Sequence, residues 1–465
     1  MRKHIGRIAD FPLTVAVLVL FFLAADAGAM IDGVTGPSFS FTAGADFIST
    51  AEGGSWLVWG YKDNQAAPPF NRAQYPGPTM IVNEGDTVTV TLTNTLPEPV
   101  SILFPGQTGV TATGGQPGLL TRESAGPADS VTYRFKASKP GTYVYYSGTH
   151  MELQVEMGLL GVLIVRPALG ESYAYNHANT RFDREHLFLL TEMDPYVHLY
   201  VDFGAANLVN NTNRDPLYWF INGRVAPDDM LPSFVPWLPT QPYGSMAMMH
   251  PGDRLLIRVV NLGRDLHPFH THGNHARVIA RDGRLLESTP GAGPDLSFET
   301  FTINAVPGQT WDAIFEWTGE KLGWDIYGPV DTACADTDNN GFDDATGAFC
   351  HDAACTDLAD NRTGARAPDG FDDATYEYCA DHGKPLPVVL PALQDLALGG
   401  FYGGSPFLGD VPEGGLPPGQ GGLNPTGAFV FMWHSHAEKE LTNFDIFPGG
   451  MMTMLYVEAP GVPIP

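Results

Sequence analysis

The chain of 465 residues carries 52 Asp and Glu against 25 Lys and Arg, and a net charge of −27 argues against nucleic acid or an anionic membrane as a partner. Its apolar fraction of 43% can bury a substantial core, while 53 Gly and 39 Pro favour short strands joined by turns over long helices. All four cysteines lie within 331–382, which excludes cysteine chemistry elsewhere in the molecule.

Taken in chain order, Arg2, Lys3 and Arg7 precede an apolar run over 11–24 and the small residues "ADAGA". This predicts a secretory signal peptide over 1–29 and a periplasmic or extracellular protein, with no membrane span once it is cleaved. "PTMIVNEGDTVTVTLTNT" (78–95) alternates apolar and polar residues at period two and reads as two strands joined at "NEGD". "SVTYRFKASKPGTYVYY" and "GLLGVLIVRP" continue the pattern, giving a first unit over 38–168. A linker over 168–185 leads to a second set, "HLFLLTEM", "WFINGR", "HPGDRLLIRVVNLG", "ARVIARDGRLL" and "TFTINAVPGQTWDAIFEW", within a second unit over 185–459. "EGDTVTVTLTNT" recurs loosely as "PGDRLLIRVVNLG": an acidic turn, then a strand that ends in Asn. The expected fold class is all-β, two copies of one Greek-key β-sandwich.

Two segments interrupt the second unit. Residues 331–382 hold thirteen acidic residues with Cys334, Cys350, Cys355 and Cys379. "DTDNNGFDD" places Asp336, Asp338, Asn340 and Asp344 at the spacing of a calcium loop, with Gly341 at the sharp turn. "NGFDDATGAFC" (340–350) recurs as "DGFDDATYEYC" (369–379), which suggests the disulfides Cys334–Cys350 and Cys355–Cys379 among three possible pairings. Residues 398–426 form a Gly/Pro-rich loop, after which strand-like sequence resumes at "GAFVFMWHSH".

"GPTMIVNEGDTVTVTLTNTLPEPVSI", "GTYVYY…THMELQVEMGLLGVLIV", "HPFHTHGNHARVIARDG" and the C-terminal "HSH…GGMM" together resemble a multicopper oxidase built from cupredoxin domains. The resemblance implies a type 1 copper held by one Cys and two His, and a trinuclear cluster of eight His that reduces dioxygen. The chain departs from that pattern. Leu103, Phe104, Pro105, Gly106 and Gln107 stand where the first His-x-His segment belongs, with neither histidine, and the second segment keeps only His150, with Gln154 at the matching spacing. The third, "HPFHTHG", is intact: His267 matches a type 1 ligand, and His270 and His272 match cluster ligands. In the fourth, "FMWHSHAEKE", His434 and His436 remain, Ser435 replaces the Cys, and Glu440 replaces the second type 1 His.

Serine is not deprotonated at ordinary pH and is a poor copper ligand, so no type 1 copper is expected. His150, His272 and His434 match the full ligand set of one type 3 copper, with His270 and His436 left over from the others. His267, without its partners, reads first as structural and second as a copper ligand. The expectation is an exported copper protein, an oxidoreductase with a mono- or dinuclear His-ligated centre at the domain interface. It would take dioxygen or a small-molecule substrate. In two-domain members of the family such sites are commonly completed between subunits, often in a homotrimer, and the linker over 168–185 is long enough for that arrangement or for an interface within one chain. A non-catalytic copper-handling protein and a calcium-stiffened structural module are the alternatives. Glu438 and Glu440 are the nearest acid–base candidates, beside the plainer reading of a solvated turn. Met246, Met248, Met249, Met451, Met452 and Met454 are either core filler or soft ligands for Cu(I).

Overall fold

The computed structural model describes residues 31–127, 129–327, 428–458 and 462–464, with scattered residues between 330 and 385. The predicted signal peptide and the Gly/Pro-rich loop lie outside the described residues, as do Cys334, Cys350, Asp336, Asp338 and Asn340.

Besides a two-stranded ribbon, Gln116–Pro117 with Arg122–Glu123, strands from residues 34–166 build two main sheets. One runs Ser55–Asp63, Ser38–Ser49, Thr87–Asn94, Ser130–Lys136, Thr111–Gly114; the other runs Val34–Thr35, Met80–Asn83, Leu160–Arg166, Gly141–Tyr146. Residues 184–457 build two more. The third sheet runs Tyr218–Ile221, Arg184–Met193, Arg254–Asn261, Thr310–Glu316, Ala276–Arg281, Arg284–Leu285, and the fourth runs Ala247–Met249, Met452–Val457, Phe429–Ser435, His267–Thr271, Thr302–Ala305. Each pair closes over its own apolar core. Phe41, Tyr61, Val90, Tyr133 and Tyr145 lie in the first, and Phe188, Ile257, Phe269, Phe315 and Trp433 in the second.

"PTMIVNEGDTVTVTLTNT" does form two strands, but they belong to different sheets. Gly85 at φ 94° and the Asn83 N–H donating to Asp86 Oδ2 turn the chain from one layer to the other. The loose repeat is a structural equivalence. The strands Thr87–Asn94 and Arg254–Asn261 both follow a glycine at positive φ (Gly85, Gly252), and both end in a fully buried Asn. Asn94 Oδ1 accepts from Leu96 N, and its Nδ2 donates to Glu98 O and Ser124 O. Asn261 Oδ1 accepts from Gly263 N, and its Nδ2 donates to Asp265 O and Ala305 O. Each Asn thus supplies the hydrogen bonds its exiting loop lacks, and fixes where the next strand begins. In the second unit that strand is His267–Thr271.

The units meet along an apolar seam of Val144, Leu160, Val162 and Ile164 against Leu187, Leu189, Val260 and Leu262. Beside it, Arg166 and Arg258 both clasp the buried Glu185, at 2.6 Å each. Arg258 also donates to Thr142 Oγ1 at 2.8 Å, and Thr142 in turn donates to Asp312. Burial alone would raise the Glu185 carboxyl, but the two guanidinium charges hold it below the usual range.

Removing the Asn261 side chain takes the partner from three backbone groups around the entrance to the His267–Thr271 strand: Gly263 N, Asp265 O and the buried Ala305 O. Asn261→Ala should lower unfolding stability by roughly 2–3 kcal/mol, read as a fall in the denaturant midpoint at constant slope. An unchanged midpoint would contradict the assigned role of this corner.

Candidate metal centre

The strand Phe429–Ser435 alternates strictly. Phe429, Phe431, Trp433 and Ser435 face the core, so His434 belongs to the opposite face, and His436 continues that face past the strand's end. His267–Thr271 pairs with it antiparallel, with Phe269 opposite Ser435 and His270 opposite His434. This register turns His270 and His272 onto the same outer face. Trp433 Nε1 donates to His272 O at 2.9 Å and His436 N donates to Pro268 O at 2.8 Å, locking both ends of the pairing.

His270, His272 and His434 each offer a ring nitrogen, and these lie within 4.8 Å of one another. His272 Nε2 and His434 Nε2 are 3.2 Å apart. The His436 ring centre stands 4.8 Å from that of His270 and 5.5 Å from that of His434. His434 Nδ1 donates to Ser435 O at 2.7 Å, which leaves its Nε2 lone pair aimed at His272. His270 Nδ1 is anchored by Thr302 Oγ1 at 2.8 Å. Burial pushes His270 down to about 4 and His272 to about 3, and neighbouring imidazoles add to both. His434 is lowered as well, again chiefly by burial. These rings are neutral at pH 7 and their lone pairs converge, which is the state a soft or borderline metal ion binds.

His150 is not part of this group. It caps the short helix Met151–Gln154 in the left-handed region (φ 43°), half-exposed, with Nδ1 3.3 Å from Glu98. Gln154 donates to the same carboxylate at 2.6 Å. Leu103, in the stretch where the resemblance would put the first His-x-His segment, pairs its backbone with Tyr146.

The inner face of the same strand pair holds a different arrangement. His267 is fully buried, with Nε2 2.8 Å from Glu192 and Nδ1 2.9 Å from Glu440. Glu192 also meets Arg214 at 2.9 Å, and Arg214 meets Glu156 of the first unit at 2.9 Å. Burial would lower His267, but hydrogen bonds to the two carboxylates override it and hold the ring up to about 9. Burial would raise Glu192, yet His267 and Arg214 keep it below the usual range. Ser435 Oγ accepts from Ala437 N, a backbone role. The inner face of the strand pair therefore holds a carboxylate–imidazolium–carboxylate bridge. Glu440, which the turn-like "AEKE" left open, is buried, and Glu438 is exposed. Glu192 was missed, although an acid inside the apolar run "HLFLLTEM" was its signal. Met249 and Met451 are fully buried in the second core.

In the insertion, Cys355–Cys379 is formed, with Cα atoms 5.4 Å apart. Asp344 accepts from Thr337 N at 3.2 Å, while in the second copy Asp372 accepts from Thr356 N and Thr375 N and Asp357 from Gly370 N. These carboxylates stabilise turns. A second group of potential ligands, Asp325, His351, Glu377 and His382, was not foreseen from the sequence.

Residues 60–169 match the multicopper oxidase family model. Multicopper oxidase MCE of Talaromyces pinophilus is 38% identical over 100 residues, 21% of this chain and 16% of that protein. A copper resistance protein A homolog of Pseudomonas syringae pv. tomato is 28% identical over 197 residues, 42% of this chain and 29% of that protein. The matches thus span less than a third of these relatives' lengths. Among solved structures, the multicopper oxidase mgLAC aligns over 92% of this chain and 87% of its own at TM-score 0.51 and 19% identity. The blue copper oxidase of Nitrosomonas europaea aligns over 90% and 85% at TM-score 0.50 and 17% identity.

The His267 bridge predicts a pH dependence. A histidine whose folded value, about 9, exceeds its unfolded 6.5 contributes its full stabilisation below pH 6.5 and loses it as pH rises through 9. Unfolding free energy should fall by roughly 3 kcal/mol across that window, and His267→Gln should flatten the decline. A wild-type profile already flat between pH 6.5 and 10 would contradict the bridge. In fold, and in the sequence of residues 60–169, the chain is multicopper-oxidase-like, with cupredoxin-type β-sandwiches and a buried histidine cluster.

Proposed function

We propose that this is an exported copper protein, an oxidoreductase whose centre is held by imidazoles alone, on His272 and His434 with His270 and His436 beside them. The observation that carries this reading is the convergence of neutral ring nitrogens from two strands 162 residues apart in sequence. Copper bound there would supply one-electron chemistry with dioxygen or a small oxygen species. The chain's part is to orient the ligands. Ser435 O and Thr302 Oγ1 set the rotation of two rings, and Trp433 fixes the backbone that carries the third. With Ser435 and the His267 bridge in place of a thiolate centre, substrate electrons would enter at the cluster itself.

His436 is exposed, and Phe301, 46% exposed, packs 5.4 Å from the His270 ring, so the cluster opens at an apolar surface. A neighbouring copy would cover that surface in our reading, bringing its exposed His150 to the cluster in a closed ring of three. Loss of the thiolate relay also favours a second reading, copper handling without turnover, in keeping with the name of the copper resistance protein A homolog. Calcium on Asp336, Asp338, Asn340 and Asp344 stays part of the proposal for the insertion.

His272→Ala should remove more than half of the copper bound by wild type, and His150→Ala a smaller share together with the oligomer, each with unchanged circular dichroism. Full copper occupancy in His272→Ala would refute the centre. Copper bound normally but without oxygen consumption by any reductant would leave copper handling as the function.

A further inference from the structure

We infer that Asp325, His351, Glu377 and His382 form a second metal site, tetrahedral and of the zinc class, that staples the acidic insertion to the second β-sandwich. The four groups are drawn from separate stretches of chain and packed together out of solvent. Side-chain exposure is 1% for Asp325, 5% for Glu377, 6% for His351 and 14% for His382. His351 Nε2 lies 3.1 Å from Asp325 Oδ2 and 3.4 Å from Glu377 Oε2. His382 Nδ1 lies 3.8 Å from Asp325 Oδ2 and 2.8 Å from Glu377 Oε1. Four donors about 2.0–2.1 Å from a central ion stand about 3.3 Å from one another in a tetrahedron, and these separations bracket that value.

The alternative is a network of hydrogen bonds, and the orientation of His351 argues against it. Although nine-tenths buried, this ring makes no aligned hydrogen bond through either nitrogen among the described residues, so Nε2 meets its carboxylates at ligand distance without donor geometry. Buried nitrogens are rarely left this way unless something else occupies the space between. Charge points in the same direction. Two carboxylates buried side by side carry a charge of −2, and a divalent cation held between them cancels it, lifting the cost of burying them together. Imidazole donors select zinc-like ions, whereas calcium takes six to eight oxygens at longer range.

The supporting shell is already built. Asp325 Oδ1 accepts from Tyr327 N at 3.0 Å and Oδ2 from Gly383 N at 2.6 Å, which fixes that carboxylate before any ion arrives. Tyr327 Oη donates to Thr375 O at 2.7 Å. The disulfide Cys355–Cys379 ties the segment carrying His351 to the one carrying Glu377 and His382. Asp325 follows the last strand of the third sheet, whereas the other three ligands belong to the insertion or its end. An ion at their centre therefore links the two.

The test uses the full chain carrying His272→Ala, so that the histidine cluster does not compete for the ion. After chelation and dialysis against zinc, the protein should retain one zinc per chain, and cobalt in its place should give the intense visible bands of a tetrahedral ion. Adding His351→Ala, or separately Glu377→Gln, should weaken zinc retention at least tenfold. Protease cleavage within 351–385 should slow at least tenfold when zinc is restored. Zinc retention unaffected by both variants, no zinc retained at all, or protection given by calcium and not by zinc would each overturn the site. Glu377→Gln keeps shape and packing, so it decides the matter should His351→Ala fail to fold.

Discussion

One backbone register governs the chemistry of this molecule: the antiparallel pairing that sets His270 opposite His434. Because side chains alternate across a strand, that single alignment places four histidines on the outer face and His267, Phe269, Trp433 and Ser435 on the inner one. A slip of one residue would bury the cluster imidazoles in the apolar core and expose Trp433. The register is held from both sides. Trp433 packs against Phe188 and Phe315 at ring separations of 5.6 and 5.0 Å, and the Asn261 corner delivers the histidine strand at a fixed point.

The two faces then diverge in electrostatics. On the outer face, among the described residues, no carboxylate offsets the burial of His270 or His272, so the rings shed their protons. On the inner face two acids close on His267, and the ring keeps its proton. One strand thus presents metal-ready imidazoles on one side and an imidazolium on the other. The bridge through Glu192, Arg214 and Glu156 also reaches the first unit, so the inner-face charges help dock the domains.

Much of this was legible in the sequence because period-two alternation encodes strand faces directly. The all-β class and the paired units follow from alternation and spacing, while His270, His272 and His434 were marked by the resemblance of their segments to the multicopper oxidase family. The Asn-terminated repeat was visible as well, although not its hydrogen-bonding role. What stayed hidden depends on long-range packing. Nothing local to Glu192 or Glu440 says that both meet His267, since the three lie 75 and 173 residues apart. His351 and His382 carry no motif either, because their partners Asp325 and Glu377 are assembled by the disulfide and the exit from the third sheet. The resemblance assigned His150 to the metal centre, but its surroundings in one chain are Glu98 and Glu152 and not the cluster.

The central claim is that imidazoles, with no sulfur, hold the copper. Pulsed electron paramagnetic resonance of the copper-loaded chain, recorded with its visible spectrum, tests this most directly, since it detects the imidazole nitrogens coupled to the metal. The account predicts nitrogen couplings from two or more histidines, wide parallel copper hyperfine splitting and no intense blue absorption. A narrow hyperfine splitting with a strong blue band, or copper coupled to no histidine, would contradict it.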